Sequence, residues 1–102
     1  MLDAAVDALY GYGLVPVVAA GNDGIDACRA SPAAGPASVT VASTTVFDTL
    51  SYFSNRGECV TLSAPGHDIV AAFPNTAAGT AGLEALSGTS MASPHVAGVL
   101  AT

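Results

Sequence analysis

The seven residues Leu14-Val15-Pro16-Val17-Val18-Ala19-Ala20 carry no polar side chain, and they run straight into Gly21-Asn22-Asp23-Gly24. A continuous apolar run of strand length, ended by a turn, has few structural solutions. A strand with one face in water alternates apolar and polar residues. A run without alternation belongs to a strand covered on both faces, the habit of parallel sheets. Upstream, Leu2, Ala5, Val6 and Leu9 fall at i, i+3, i+4 and i+7, which is one face of a helix. Asp3 lies in its first turn, where the helix dipole favours an anion, and Gly11 and Gly13 close it. A helix feeding a doubly covered strand predicts an α/β fold with a parallel sheet.

The remaining chain is read in the same way. Pro32, Gly35 and Pro36 make residues 25–37 a loop, and Ser38-Val39-Thr40-Val41-Ala42 is a second strand. The stretch from Phe47 to Gly57 is irregular. Cys59-Val60-Thr61-Leu62 and Asp68-Ile69-Val70-Ala71-Ala72 are short strands around the turn Ala64-Pro65-Gly66, and residues 74–82 form a loop. Met91 to Thr102 is a helix with Pro94 in its first turn. No repeat or linker divides the chain, so residues 1–102 are expected to form one unit.

Composition narrows the function. Among 102 residues there are two basic side chains, Arg29 and Arg56, and eight acidic ones, for a net charge of −6. Nucleic-acid binding needs clustered Lys and Arg to neutralise phosphates, and is excluded. No apolar run approaches the roughly 18–20 residues of a membrane-spanning helix. Met1 to Asp7 carry two acids where a signal peptide carries positive charge. Only 10% of the residues are charged. A small free-standing domain has much surface to solvate, so this scarcity suits a segment that is mostly interior.

Gly88-Thr89-Ser90-Met91-Ala92-Ser93-Pro94 carries the chemistry. Local spacing alone makes Ser90 a helix cap. A serine among small residues at a loop-to-helix junction is also a suitable nucleophile, because substrate can approach and the helix N-terminus offers free N–H groups. The segment is near the G-x-S-x-G elbow, but Ala92 replaces the last glycine, and only twelve residues follow Ser90. His95, five residues on, lies roughly 140° around the helix and about 7.5 Å along it, so it is expected to be a packed helix histidine and not a base for Ser90. His67 is expected to be an exposed loop histidine without a role. Asp23, Asp26 and Asp68 are loop carboxylates, read as solvated and not as metal ligands. Asn22, taken alone, is a turn residue.

The run Ser87-Gly88-Thr89-Ser90-Met91-Ala92-Ser93-Pro94-His95-Val96-Ala97-Gly98 resembles the active-serine signature of the subtilisin-like serine proteases, the subtilases. Val17-Val18-Ala19-Ala20-Gly21-Asn22 resembles that family's oxyanion-hole strand, and Ser31-Pro32-Ala33 a wall of its primary specificity pocket. Phe53-Ser54-Asn55-x-Gly57 and Ala64-Pro65-Gly66 are further landmarks in the same order, and the resemblance covers essentially the whole chain. Cysteine placement resembles the proteinase K-like branch.

The resemblance implies part of a three-layer, parallel-sheet domain. It also implies a serine endopeptidase acting on proteins or peptides, with Ser90 as nucleophile and Asn22 as oxyanion donor. The family carries its catalytic Asp and His ahead of the serine, so both would lie in an N-terminal half outside this chain. The alternative is an inactive truncated remnant or a non-catalytic interaction protein. In the proteinase K-like branch, calcium binds backbone oxygens at the positions of Pro36 and Ser38 and an Asp carboxylate at the position of Thr61. A hydroxyl is a poor substitute there, so no tight calcium site and no other cofactor is expected. Spacing alone does not say whether Cys28 and Cys59 pair. The resemblance implies a disulfide, which by chain entropy contributes about 3–4 kcal/mol and places the parent protein in an oxidising, extracellular compartment. A half-domain exposes sheet edges and apolar faces, so the isolated chain is expected to be poorly stable or to aggregate.

Overall fold

A computed structural model of the chain describes residues 2–75, 77 and 79–102, with the backbone only of Thr80. Helix α1 spans Leu2–Gly11, and strand β1, Val17–Ala19, follows it. Strand β2, Val39–Thr44, and strand β3, Leu62–Pro65, complete a parallel sheet of order β1-β2-β3. The register pairs Val18 with Thr40 and Ala42 with Ser63. Strands β4, Ile69–Asn75, and β5, Thr80–Leu86, form a separate antiparallel ribbon, and helix α2, Thr89–Leu100, closes the fold. The architecture is α/β with a parallel sheet, as the sequence predicts.

The sheet is covered on both faces because β2 alternates between two clusters. Val39 and Val41 face one way, into a cluster with Val17, Ala64, Ala92 and Val96, and the last two belong to α2. Ala42 faces the other way, packing with Ala20, Ala27 and Ala33. That second layer is a loop and not a helix, apart from a single 3-10 turn at Ala27–Arg29 capped by Asp26, whose Oδ1 accepts from Cys28 N at 2.9 Å. A disulfide joins Cys28 to Cys59, with Cα atoms 5.3 Å apart, and holds this layer to the entry of β3.

Several expectations are corrected. The apolar run at 14–20 yields only three strand residues, because among the described residues β1 pairs with β2 alone and stops where that ladder stops. Leu14 and Val15 are consequently exposed, and β1 is half-buried. In α1 only Val6 is buried, while Leu2 and Leu9 of the same face are exposed. Cys59 and Val60 are not in a strand: Val60 N donates to Gly57 O in a turn, and β3 takes up Ala64-Pro65, which had read as turn. Pro65 is tolerated there because β3 is an edge of the described sheet. The expected loop at 74–82 is largely ribbon, with Phe73 opposite Gly82 and Pro74 opposite Ala81. Residues 76 and 78 of that expected loop lie outside the described residues. Helix α2 begins two residues before Met91, so Pro94 sits in its second turn and leaves no amide to bond the Ser90 carbonyl.

Candidate active site

The turn after β1 and the N-terminus of α2 meet through one pair of residues. Thr89 is fully buried, and both its backbone N and its Oγ1 donate to Asn22 Oδ1 at 2.8 Å. Thr89 Oγ1 in turn accepts from Gly21 N at 3.1 Å. A carboxamide has distinct ends. With its oxygen held twice by Thr89, the Asn22 NH₂ is turned the other way. Its direction can be read at Gly88, where a Cβ would lie 3.6 Å from Asn22 Nδ2 and 3.7 Å from Ser90 N. Asn22 Nδ2 and Ser90 N therefore border the same position, together with Met91 Sδ, at the place a side chain of residue 88 would occupy. Ser90 N is also one of the amides that helix geometry leaves without an intrahelical partner.

The approach to Ser90 is fixed from β3. Gly88 N donates to Gly66 O at 2.7 Å, and Gly66 N to Thr44 O at 3.1 Å, which ties the loop before the helix to the sheet. Asp68 N donates to Ser87 Oγ at 2.8 Å. Ser90 itself is exposed, in a cleft of about 450 Å³ between Ile69, Val70 and Ala71 of β4 and Met91, Pro94 and His95 of α2. A larger groove of about 590 Å³ runs between β3 and α2, lined by Leu62, Pro65, Val96, Val99 and Leu100, and it is almost wholly apolar.

The other candidates fall in different places. Ser31 is exposed and its Oγ donates to Asp3 Oδ1 at 2.7 Å, Pro32 is half-buried, and the Ala33 side chain is in the core. His95 is exposed and not packed, its Nδ1 lying 2.8 Å from Met91 O one turn back. His67 is not the exposed loop residue expected: its ring packs against Phe53 and Tyr52, and its Nδ1 is buried without a hydrogen-bond partner among the described residues. Asp23, Asp26 and Asp68 are exposed, and no group of three or more metal-ligating side chains occurs among the described residues. At the calcium position, Thr61 Oγ1 accepts from Thr40 N at 3.0 Å, so the hydroxyl is engaged with the sheet backbone. Thr61 brings no carboxylate to Pro36 and Ser38, and a hydroxyl in that place does not suit a hard cation.

Sequence reasoning missed Thr89. Its position next to Ser90 made it look like one more small residue, and only its reach to a residue 67 positions away reveals what it does.

A helix-borne serine beside a clamped carboxamide, on a parallel sheet, places the chain among α/β proteins. The subtilase family model (peptidase S8) matches residues 1–102, and the chain belongs to that family. A subtilisin-like serine protease of Rhodotorula mucilaginosa is 50% identical over 97% of this chain and 28% of its own length. Cerevisin of Saccharomyces cerevisiae is 48% identical over 97% of this chain and 15% of its own length. Among solved structures, a cold-adapted subtilisin-like serine proteinase superposes with a TM-score of 0.86 at 50% identity, over 95% of this chain and 34% of that one. The chain thus spans about a third or less of the proteins it matches.

Proposed function

We propose that residues 1–102 are the C-terminal part of the catalytic domain of a secreted subtilisin-like serine endopeptidase. The observation that carries this reading is the Thr89–Asn22 clamp, which turns the Asn22 NH₂ toward the space beside Ser90 N. In the complete enzyme, Ser90 Oγ attacks a peptide carbonyl, the C–N bond breaks as a histidine returns the proton to the departing amine, and water then hydrolyses the acyl-enzyme to release the carboxylic acid. The charge that develops on the carbonyl oxygen is held by Asn22 Nδ2–H and Ser90 N–H, and both donors are oriented before the reaction begins. The proton from Ser90 passes to that histidine, which is oriented by an aspartate, both supplied by residues ahead of Met1. Neither His67 nor His95 takes that part: His95 bonds back along its own helix, and His67 packs among rings. Ser31-Pro32-Ala33 contribute a wall of the specificity pocket. The apolar groove between β3 and α2 is covered by the remainder of the domain, and the Cys28–Cys59 disulfide suits secretion.

The test is labelling of the complete protein with a fluorophosphonate, followed by peptide mapping, beside hydrolysis of a casein substrate. Covalent label on Ser90 with proteolysis is the expected result, and Ser90→Ala abolishes both. A folded complete protein that takes no label at Ser90 overturns the reading. Residues 1–102 alone are expected to turn nothing over.

We further propose that the loop at Pro36, Ser38 and Thr61 takes no calcium, because the Thr61 hydroxyl is already used by the Thr40 amide. Calorimetry on the complete protein and on its Thr61→Asp variant tests this. Heat of binding at this loop with millimolar or tighter affinity in the unsubstituted protein, lost on Thr61→Ala, contradicts it.

A further inference from the structure

The turn that carries Asn22 belongs to neither a strand nor a helix, so its backbone groups find their partners elsewhere. The chain wraps one buried side chain, Asn55, which is fully excluded from solvent. Asn55 Oδ1 accepts from Asp23 N and from Ile25 N, both at 3.1 Å. Asn55 Nδ2 donates to Ala20 O at 2.9 Å, and Asn55 N donates to Gly21 O at 2.8 Å. Residues on both sides of Asn22 are thus bonded to one residue at least thirty positions away. A carboxamide is suited to this, since it accepts at one end and donates at the other without a charge to bury.

Gly21 shows how close the wrapping is. Its φ is +106°, and a Cβ there would overlap Asn55 Nδ2. The backbone passes over the amide in a conformation that only glycine adopts without strain.

We infer that Asn55 is a positioning residue for the oxyanion donor. Thr89 fixes the direction of the Asn22 side chain, and Asn55 fixes the backbone from which that side chain projects. Asn55 is buried beneath the turn and acts only through Asn22. This inference rests on the proposed role of Asn22, and one of its two tests does not depend on activity.

The first test is a double-mutant cycle in the complete protein. Asn55→Ala is expected to lower kcat roughly tenfold or more, bounded by the 10²–10³-fold loss of an oxyanion donor, with KM little changed. In an Asn22→Gly background, Asn55→Ala should change kcat by less than about twofold, the limit within which independent sites add. An equal fall in both backgrounds means that Asn55 supports the fold generally, and overturns the inference. Asn55→Ser removes the carboxamide without burying a charge and leaves a hydroxyl that can still donate and accept. It is expected to show a smaller loss, likewise absent in the Asn22→Gly background, and it carries the cycle if Asn55→Ala does not fold.

The second test is a crystal structure of whichever Asn55 variant folds. The Asn22–Thr89 contacts are expected to open beyond hydrogen-bond reach. Contacts that stay at 2.8 Å overturn the inference. If the complete wild-type protein folds but is inactive, the proposed function fails, and this structural comparison still decides the matter for Asn55.

Discussion

In β2, Thr40, Val41, Ala42 and Ser43 are all buried, whereas no residue of β4 is, and six of its seven are exposed. The contrast extends to what holds each region. The sheet is stitched by buried polar side chains. Ser43 N donates to Ser54 Oγ at 3.0 Å, Ser43 Oγ meets Ser51 Oγ at 2.8 Å, and Asn55 and Thr89 grip the turn after β1. The β4–β5 ribbon is bonded chiefly to itself, and Val70 and Leu83 lie 64% and 76% exposed. The apolar core under the sheet is thin, mostly alanine, with Val41 its largest fully buried apolar side chain. Burial of apolar area scales with side-chain size, so alanines contribute little each. A buried polar group left without a partner costs about 1–3 kcal/mol, so a satisfied network of this kind specifies one geometry. Precision resides in the sheet half, and Ser90 sits where that half meets the ribbon.

Substitutions in the two regions should separate them by size of effect. Asn22→Gly removes the side chain that the sheet half orients. In the complete enzyme it is expected to lower kcat by about 10²–10³-fold, the loss known for subtilisin's own oxyanion asparagine, with KM nearly unchanged in steady-state assays. Thr89→Val keeps shape and removes the hydroxyl, so Asn22 Oδ1 loses one of its two donors and Gly21 N loses its acceptor. A fall in kcat of roughly tenfold corresponds to about 1.4 kcal/mol, near the net worth of one such bond. Val70→Thr is the control in the ribbon. At an exposed site away from buried networks, a change within about 0.5 kcal/mol is expected by denaturant titration. A larger loss would show that residues outside this chain cover the ribbon.

The same contrast explains what was legible in the sequence. Helix α1, β2 and α2 could be read because periodicity, Val/Thr content and the Pro94 region are local signals. The Ser90 and Asn22 candidates could be read only through the resemblance, since each alone looks like a cap or a turn residue. Within the loop expected at 74–82, positions 74, 75 and 80–82 belong to the ribbon; they read as loop because Pro74, Gly79, Gly82 and several alanines carry turn signals, and cross-strand pairing in a ribbon this exposed leaves no alternating apolar pattern. β1 was overestimated because an apolar run reports what a strand is meant to bury against, while its length is set by the neighbour it pairs with. Asn55 and Thr89 were invisible as structural elements. Their partners lie 30 to 68 positions away, and no local pattern encodes them.

The Cys28–Cys59 bond encloses the whole of β2, the exposed tip at Val46 and Phe47, and Asn55 within one covalent ring. The protease proposed above would be its own nearest substrate. A single cut at that tip opens the ring but separates nothing: both new ends remain tethered, and the strand that anchors the site stays at high local concentration beside its partners. Under non-reducing conditions such a nicked chain would migrate as one molecule, and damage that destroys an untethered loop would here be survivable.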